Sequence, residues 1–372
     1  MGKHVLITGG AGFIGSHVAD TLLALGHRVR ALDVLLPQVH GPGAKRPSYL
    51  SSDVELIVGD IRNPVAVRRA LAGVDVVYHL AALVGVGQSM YQILDYTSVN
   101  GLGTSVLLEA VIAHRVERLI IASSMSIYGE GMYVDAAGRQ RGGHERSLDQ
   151  LRRGEWELHD EAGRPLKPRP TPELKTPSLA SVYALSKYDQ ERLCLLVGRA
   201  YGIPTLALRF FNVYGPRQAL SNPYTGVLAI FASRLLNEKR PLVFEDGLQQ
   251  RDFVSVYDVA QACVRALDAD AAIGCALNIG SGIAYTVLEV AARIARVLQR
   301  EYIEAQVTGK YRAGDIRHCY ADITQARQML GYEPRVVFDE GLVELAAWLD
   351  GQVAIDRVDQ ASHELIARGL TV

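Results

Sequence analysis

Short β-branched apolar runs recur through the first two-thirds of the chain, at residues 4–8, 27–32, 54–58, 74–80, 119–122 and 205–210. Each is four to seven residues long, and all but the last end in glycine, alanine, serine or an acid. Runs of this length bounded by small residues read as buried strands. Apolar positions at helical spacing lie between them, over residues 103–114 and 182–201. Strands alternating with helices predict an α/β fold, a doubly wound parallel sheet of the Rossmann kind. After Pro216 the rhythm becomes irregular, with helical patterns at 227–237 and 256–268 and strands at 242–244 and 276–279. The strand at 276–279 predicts a return to the first sheet, so the second, smaller C-terminal domain is discontinuous. We expect residues 1–213 plus about 252–279 in the larger domain, 214–251 plus about 280–350 in the smaller one, and a peripheral tail at 351–372.

Residues 131–177 break the pattern. They are rich in charge, Gly and Pro, with Pro165, Pro168, Pro170, Pro172 and Pro177 at the exit. An insertion of this composition reads as a surface lid or a disordered loop. Leu148, Leu151 and Trp156 predict one short helix inside it.

Composition narrows the function. The 372 residues carry 39 Lys and Arg against 40 Asp and Glu, for a net charge of −1. That balance gives no reason to expect a nucleic-acid or membrane partner. Cys194, Cys263, Cys275 and Cys319 are scattered. Without paired spacing they read as free buried thiols of a cytoplasmic protein. No apolar run approaches the roughly 20 residues that span a bilayer. His4, His17, His79 and His144 share no ligand spacing, so no metal is expected.

The first strand runs straight into glycines at 9, 12 and 15, and a helix starts there. Bare backbone at a helix N-terminus suits a pyrophosphate, because unpaired N–H groups and the macrodipole favour negative charge. Asp33 ends the second run, eighteen residues past Gly15. An acid at that place takes the adenosine ribose hydroxyls and repels a 2′-phosphate, which favours NAD over NADP.

The strand at 119–122 continues into Ser123, Ser124, Met125 and Ser126, and the helix after the insertion opens Tyr183-Ala-Leu-Ser-Lys187. Tyr183 and Lys187, four apart, share a helix face. A nearby ammonium favours the phenolate of a tyrosine base. Ser124 at the strand end is placed to hydrogen-bond the reacting oxygen. These three are the expected catalytic residues.

The motifs Gly9 to Gly15, Gly59-Asp-Ile-Arg62, His79-Leu-Ala-Ala82, Asn100-x-x-Gly-Thr104, Tyr183-x-x-x-Lys187, Arg209 to Arg217, Gln250 to Val254 and Gly314-Asp315 resemble the extended short-chain dehydrogenase/reductases. Within them the chain is most similar to the nucleotide-sugar epimerases and dehydratases. The resemblance implies an NAD site at Gly9, Gly12, Phe13, Ile14, Asp33, Asp60, Ile61, Leu80, Ala81, Ala82, Asn100, Tyr183 and Lys187. It implies a nucleotide-sugar site at Val86, Ser124, Ser126, Asn212, Arg251 and Arg312, with Asn212, Arg251 and Arg312 on the diphosphate. It also implies a homodimer built on the helices bearing Gly103 and Tyr183.

The 4,6-dehydratases of this kind carry an Asp-Glu pair after the catalytic Ser or Thr, and related decarboxylases a Glu at the second of those positions. Met125 and Ser126 stand there in this chain. The expectation is therefore a 4-epimerase, most similar to those acting on dTDP-L-rhamnose, on the strength of the insertion and the segment 222–226. Val84 stands where many UDP-galactose epimerases have Lys. A UDP-glucose-type 4-epimerase is the alternative, followed by a 4-keto-sugar reductase or 4,6-dehydratase. An NAD-binding regulator is a further reading, against which intact Ser124, Tyr183 and Lys187 speak.

Overall fold

The computed structural model describes the chain except Met1, Ala44, Ser221, Pro223, Thr225, Ala313, residues 353–355, Arg357, Val372 and the side chain of Ser362. Parts of the segment 222–226, Pro223 and Thr225, therefore lie outside the described residues.

Seven strands form the central sheet: β1 (His4–Thr8), β2 (Arg28–Asp33), β3 (Glu55–Val58), β4 (Val76–His79), β5 (Arg118–Ser124), β6 (Thr205–Phe210) and β7 (Ala276–Ile279). They lie in the order β7-β6-β5-β4-β1-β2-β3, and every neighbouring pair is parallel. Successive side chains alternate faces, as the strand period requires. Val5, Ile7, Ile120, Leu206 and Leu208 enter one core. Leu6, Leu119, Ile121 and Ala207 enter the other. Both faces are covered, which is the doubly wound arrangement. The order reverses between β1 and β4, and the ends of these strands frame the crevice where such sheets take ligands.

Helix α1 (Phe13–Ala24) follows β1, α2 (Gly103–Ala113) precedes β5, and α3 (Val182–Tyr201) precedes β6. Ser181 caps α3 by accepting from Ala184 N at 3.1 Å, and Gly202 ends it in the left-handed conformation. A smaller lobe has its own core around Phe231, Phe253, Ile294 and Leu342. Its strands Asn212–Tyr214, Gln250–Ser255 and Ala284–Thr286 pair with one another, and His318–Cys319 joins Gln250–Ser255.

One expectation is corrected. The insertion is an ordered element and not a disordered loop. Met132–Val134, Gln140–Gly142 and Lys167–Arg169 form a three-stranded antiparallel sheet, and the expected helix is Leu148–Arg152. Tyr133, Leu158 and Leu166 are its small core. Its charges close turns: Asp135 accepts from Ala137 N and Arg139 N, and Asp160 from Ala162 N and Arg164 N. A polar composition thus serves local folding, through carboxylates that mimic backbone acceptors.

The tail packs against the rest of the chain through a few side chains. Helix α4 (Val358–Ala367) buries Ala361 and Leu365. The Glu364 carboxylate accepts from Tyr91 Oη at 3.0 Å and Tyr224 Oη at 3.1 Å, and the Arg368 guanidinium lies 4.3 Å from the centre of the Tyr91 ring. A few anchoring side chains hold a mostly polar helix in place. Among the described residues no helix is long and apolar enough to cross a membrane.

Candidate active site

The glycine turn leaves a floor of bare backbone. Gly9 sits at φ +71°, where a Cβ would come within 2.9 Å of Ala81 N. A Cβ on Gly15 would collide with the Gly9 carbonyl oxygen. Gly12 begins α1 without a side-chain cap, and the first turn holds no acid. The first N–H groups of a helix have no partner within it, so Phe13 and Ile14 offer donors at a positive helix end. The cradle fits a dinucleotide pyrophosphate.

Asp33 braces the same place. Its carboxylate accepts from Ala11 N at 3.0 Å and Leu35 N at 2.9 Å. That bond helps hold Leu35 at φ +51°, an uncommon conformation for a branched side chain. A carboxylate has about four lone-pair sites, so Asp33 keeps capacity for ribose hydroxyls. Asp60 pairs with Arg62 at 2.6 Å, which holds its carboxyl below the usual range.

Leu80, Ala81 and Ala82 leave β4, and Ala81 N donates to Thr8 Oγ1 at 3.2 Å. Asn100, expected at the cofactor, is buried and spends its amide on this stretch. It accepts from Leu83 N at 2.8 Å and donates to Leu83 O at 3.1 Å and Ser186 Oγ at 2.9 Å. With both donor groups engaged, Asn100 shapes the cleft wall from behind. Val86, itself exposed, opens a single helical turn, Val86–Ser89, whose buried Ser89 Oγ accepts from Tyr183 N at 3.0 Å.

Ser124 stands at the end of β5, and Ser126 Oγ donates to its Oγ at 2.9 Å. Burial pushes the Tyr183 phenol above its ordinary value, and the nearby Ser124 hydroxyl offsets part of that rise. Tyr96 meets the Tyr183 ring edge-on, with centroids 6.4 Å apart.

Lys187 shares that helix face with Tyr183. Its ammonium donates to Gln190 Oε1 at 2.8 Å. Gln190 Nε2 in turn donates to Thr104 Oγ1 at 2.9 Å and lies 3.2 Å from His79 Nε2, while His79 Nδ1 meets Thr8 Oγ1 at 2.8 Å. Burial brings the Lys187 amine down to about 8, and burial with the Lys187 charge brings His79 down to about 3. A neutral imidazole can accept where an imidazolium cannot, so the chain of polar groups from β1 to α3 is held together around Lys187.

Gln190 and Glu191 escaped the sequence reading. Glu191 is fully buried and pairs with Arg209 at 2.7 Å, and Ser123 Oγ donates to it at 2.6 Å. The signal was present: both stand three and four residues beyond Lys187, on the face that carries Tyr183. Asn212, Arg251 and Arg312 lie in the smaller lobe. Asn212 Nδ2 donates to Asp252 O at 2.9 Å. Arg251 donates to Gln250 O and Arg317 O, each at 3.0 Å, and to Ile316 O. The Arg312 guanidinium lies 4.2 Å from the Phe244 ring centre.

A family model described as the NAD dependent epimerase/dehydratase family matches residues 5–147 and 160–280. The chain belongs to that family. The family is NAD dependent, and the glycine cradle with Asp33 is where this member would hold the dinucleotide. The chain is 37% identical to a dTDP-L-rhamnose 4-epimerase of Burkholderia thailandensis, over 94% of this chain and 95% of that one. A UDP-glucose 4-epimerase of Thermotoga maritima, solved with UDP-glucose, superposes with a TM-score of 0.75 at 30% identity, covering 94% and 99% of the two chains. A UDP-glucuronic acid 4-epimerase of Bacillus cereus, solved with its sugar nucleotide and NAD, gives 0.75 at 27% identity over the same shares. The family model leaves out residues 148–159, which lie within the insertion.

Proposed function

We propose that this family member is a nucleotide-sugar 4-epimerase, converting dTDP-L-rhamnose to dTDP-6-deoxy-L-talose. The observation that carries 4-epimerisation is the end of β5. Ser124 and Ser126 pair through their hydroxyls there, and Met125 and Ser126 supply no carboxyl. Removing water across C5 and C6 needs a base and an acid at those carbons. Glu130, six residues past Ser124, is taken by Tyr133 and the backbone of Arg317 and His318. Glu191 is taken by Arg209 and Ser123.

Bound NAD supplies reversible oxidation at C4. Tyr183 takes the C4 hydroxyl proton and later returns it. Ser124 holds that oxygen, and Lys187, anchored by Gln190, would hold the nicotinamide ribose when NAD is bound. Inversion requires the oxidised sugar to present its other face, which small residues such as Ser124 and Ser126 leave room for. Arg251, Arg312 and Asn212 hold the diphosphate, for which a planar guanidinium is suited by its paired donors. The sugar itself rests on the B. thailandensis relative.

Purified protein incubated with dTDP-L-rhamnose, without added cofactor, should form a C4 epimer at constant total sugar, followed by proton NMR ring couplings. Turnover of UDP-glucose in place of dTDP-L-rhamnose would overturn the sugar and keep the chemistry. A 4-keto-6-deoxy product from dTDP-glucose would overturn the epimerase reading.

The proposed working form is a homodimer. Leu185 and Leu196, three turns apart on α3, are exposed, as are Leu94 and Leu102 near α2. Such a grouping of large apolar side chains suits a second copy of the chain. Leu185→Glu should shift the mass seen by light scattering from dimer to monomer, and an unchanged mass would remove this face from the interface.

A further inference from the structure

The insertion joins the smaller lobe through buried charge. Arg146, within the insertion, donates from Nη2 to Glu245 Oε1 at 2.8 Å and to Asp315 O at 3.1 Å. Arg317 is fully buried. It donates to Glu157 of the insertion at 3.0 Å, to Glu245 at 3.0 Å and to Asp246 at 2.6 Å. Its backbone N–H donates at 2.7 Å to Glu130, the residue that enters the insertion. The Glu157 carboxyl, despite burial, is held down to about 2 by His318 and Arg317.

Glu245 marks how firmly this junction is specified. It stands at φ +52°, a conformation that favours glycine over other residues. The strained backbone places one carboxylate between two buried arginines, so that Arg146 and Arg317 share Glu245 as a common partner.

The same segments hold the two arginines assigned to the diphosphate. Arg251 is oriented by the carbonyl groups of Ile316 and Arg317. Arg312 stacks on Phe244, the neighbour of Glu245. We propose that the insertion is a positioning element for the diphosphate clamp, with Arg146 and Glu157 acting through Glu245 and Arg317 on Arg312 and Arg251. The inference rests on the reading of Arg251 and Arg312 as diphosphate ligands. Neither Arg146 nor Glu157 touches Ser124, Tyr183 or Lys187, so their effect falls on binding.

The test is dTDP binding by calorimetry, with kcat, KM, NAD content and Tm, on the wild type and on R251A, R146M and E157Q. Glu157 is 38% exposed at its side chain, so E157Q is the milder change should R146M fail to fold. A supporting clamp displaced by a fraction of an ångström should cost E157Q about tenfold in dTDP affinity and KM, with kcat within about twofold and NAD content unchanged. Folded E157Q with wild-type affinity, or with a lowered kcat at unchanged KM, would overturn the inference. Loss of the fold in both variants would make the network purely structural and overturn it as well. Absence of dTDP binding by the wild type, or no effect of R251A, would instead remove the reading of the clamp itself, and the inference with it.

Discussion

Tyr183→Phe is expected to lower kcat by about 10²- to 10⁴-fold, the range that a positioned general base supplies. The substitution removes one oxygen and leaves the ring that meets Tyr96 edge-on at 6.4 Å. The Tyr183 backbone bond to Ser89 and the Lys187 bond to Gln190 do not involve that oxygen. NAD content and Tm should therefore stay near wild type while NMR shows no epimer. Burial raises the Tyr183 phenol above its ordinary value, and Ser124 offsets part of that rise in the direction a base requires. A variant that keeps a tenth of the activity would show that another group, or solvent, moves the proton, and the assignment of Tyr183 would fall.

The second large effect is on the cofactor. Gly15→Ala forces a Cβ against the Gly9 carbonyl oxygen and the Gly10 backbone, and neither can yield as a flexible side chain would. Overpacking of this kind costs about 1–3 kcal/mol. Relief comes only by moving the glycine turn off the start of α1, which spoils the N–H floor that receives the pyrophosphate. Protein purified from this variant should contain little or no NAD by chromatography of the released nucleotide. Its Tm should fall by roughly 1–4 °C, at about 1.3 °C for each kcal/mol given the unfolding entropy of a 372-residue chain. Full NAD content would mean that the cradle tolerates a methyl group and that the dinucleotide is held mainly elsewhere.

The elements that place the site were legible because their signals are local. Runs of Val, Ile and Leu closed by small residues gave the strands, and β6 and β7 fall at 205–210 and 276–279 as read. The helix at 182–201 is α3. Tyr183, Lys187 and Ser124 were found through spacing and strand ends. The partners of these residues were not. Gln190 takes the Lys187 ammonium because α3 lays that face against Thr104 and His79, a contact across 86 and 111 residues. Asn100 turned out to brace Leu83 and Ser186 from behind the cleft for the same reason.

The insertion was misread on composition. Charge, Gly and Pro lower the chance of a packed core, yet here Asp135 and Asp160 close turns and Arg146 buries its charge against Glu245. The tail holds its place through Glu364 on two tyrosines, which no window of sequence announces.

The strands and helices, the glycine turn and the shared face of Tyr183 and Lys187 follow from short-range rules: strand length, helix period and the backbone freedom of glycine. Those rules act within a few residues and are written into the chain directly. Which groups satisfy Lys187, Asn100, Arg251 and Arg317 was settled by folding. Buried charges and amides take whichever partners the packed elements bring near, and those partners are distant in sequence.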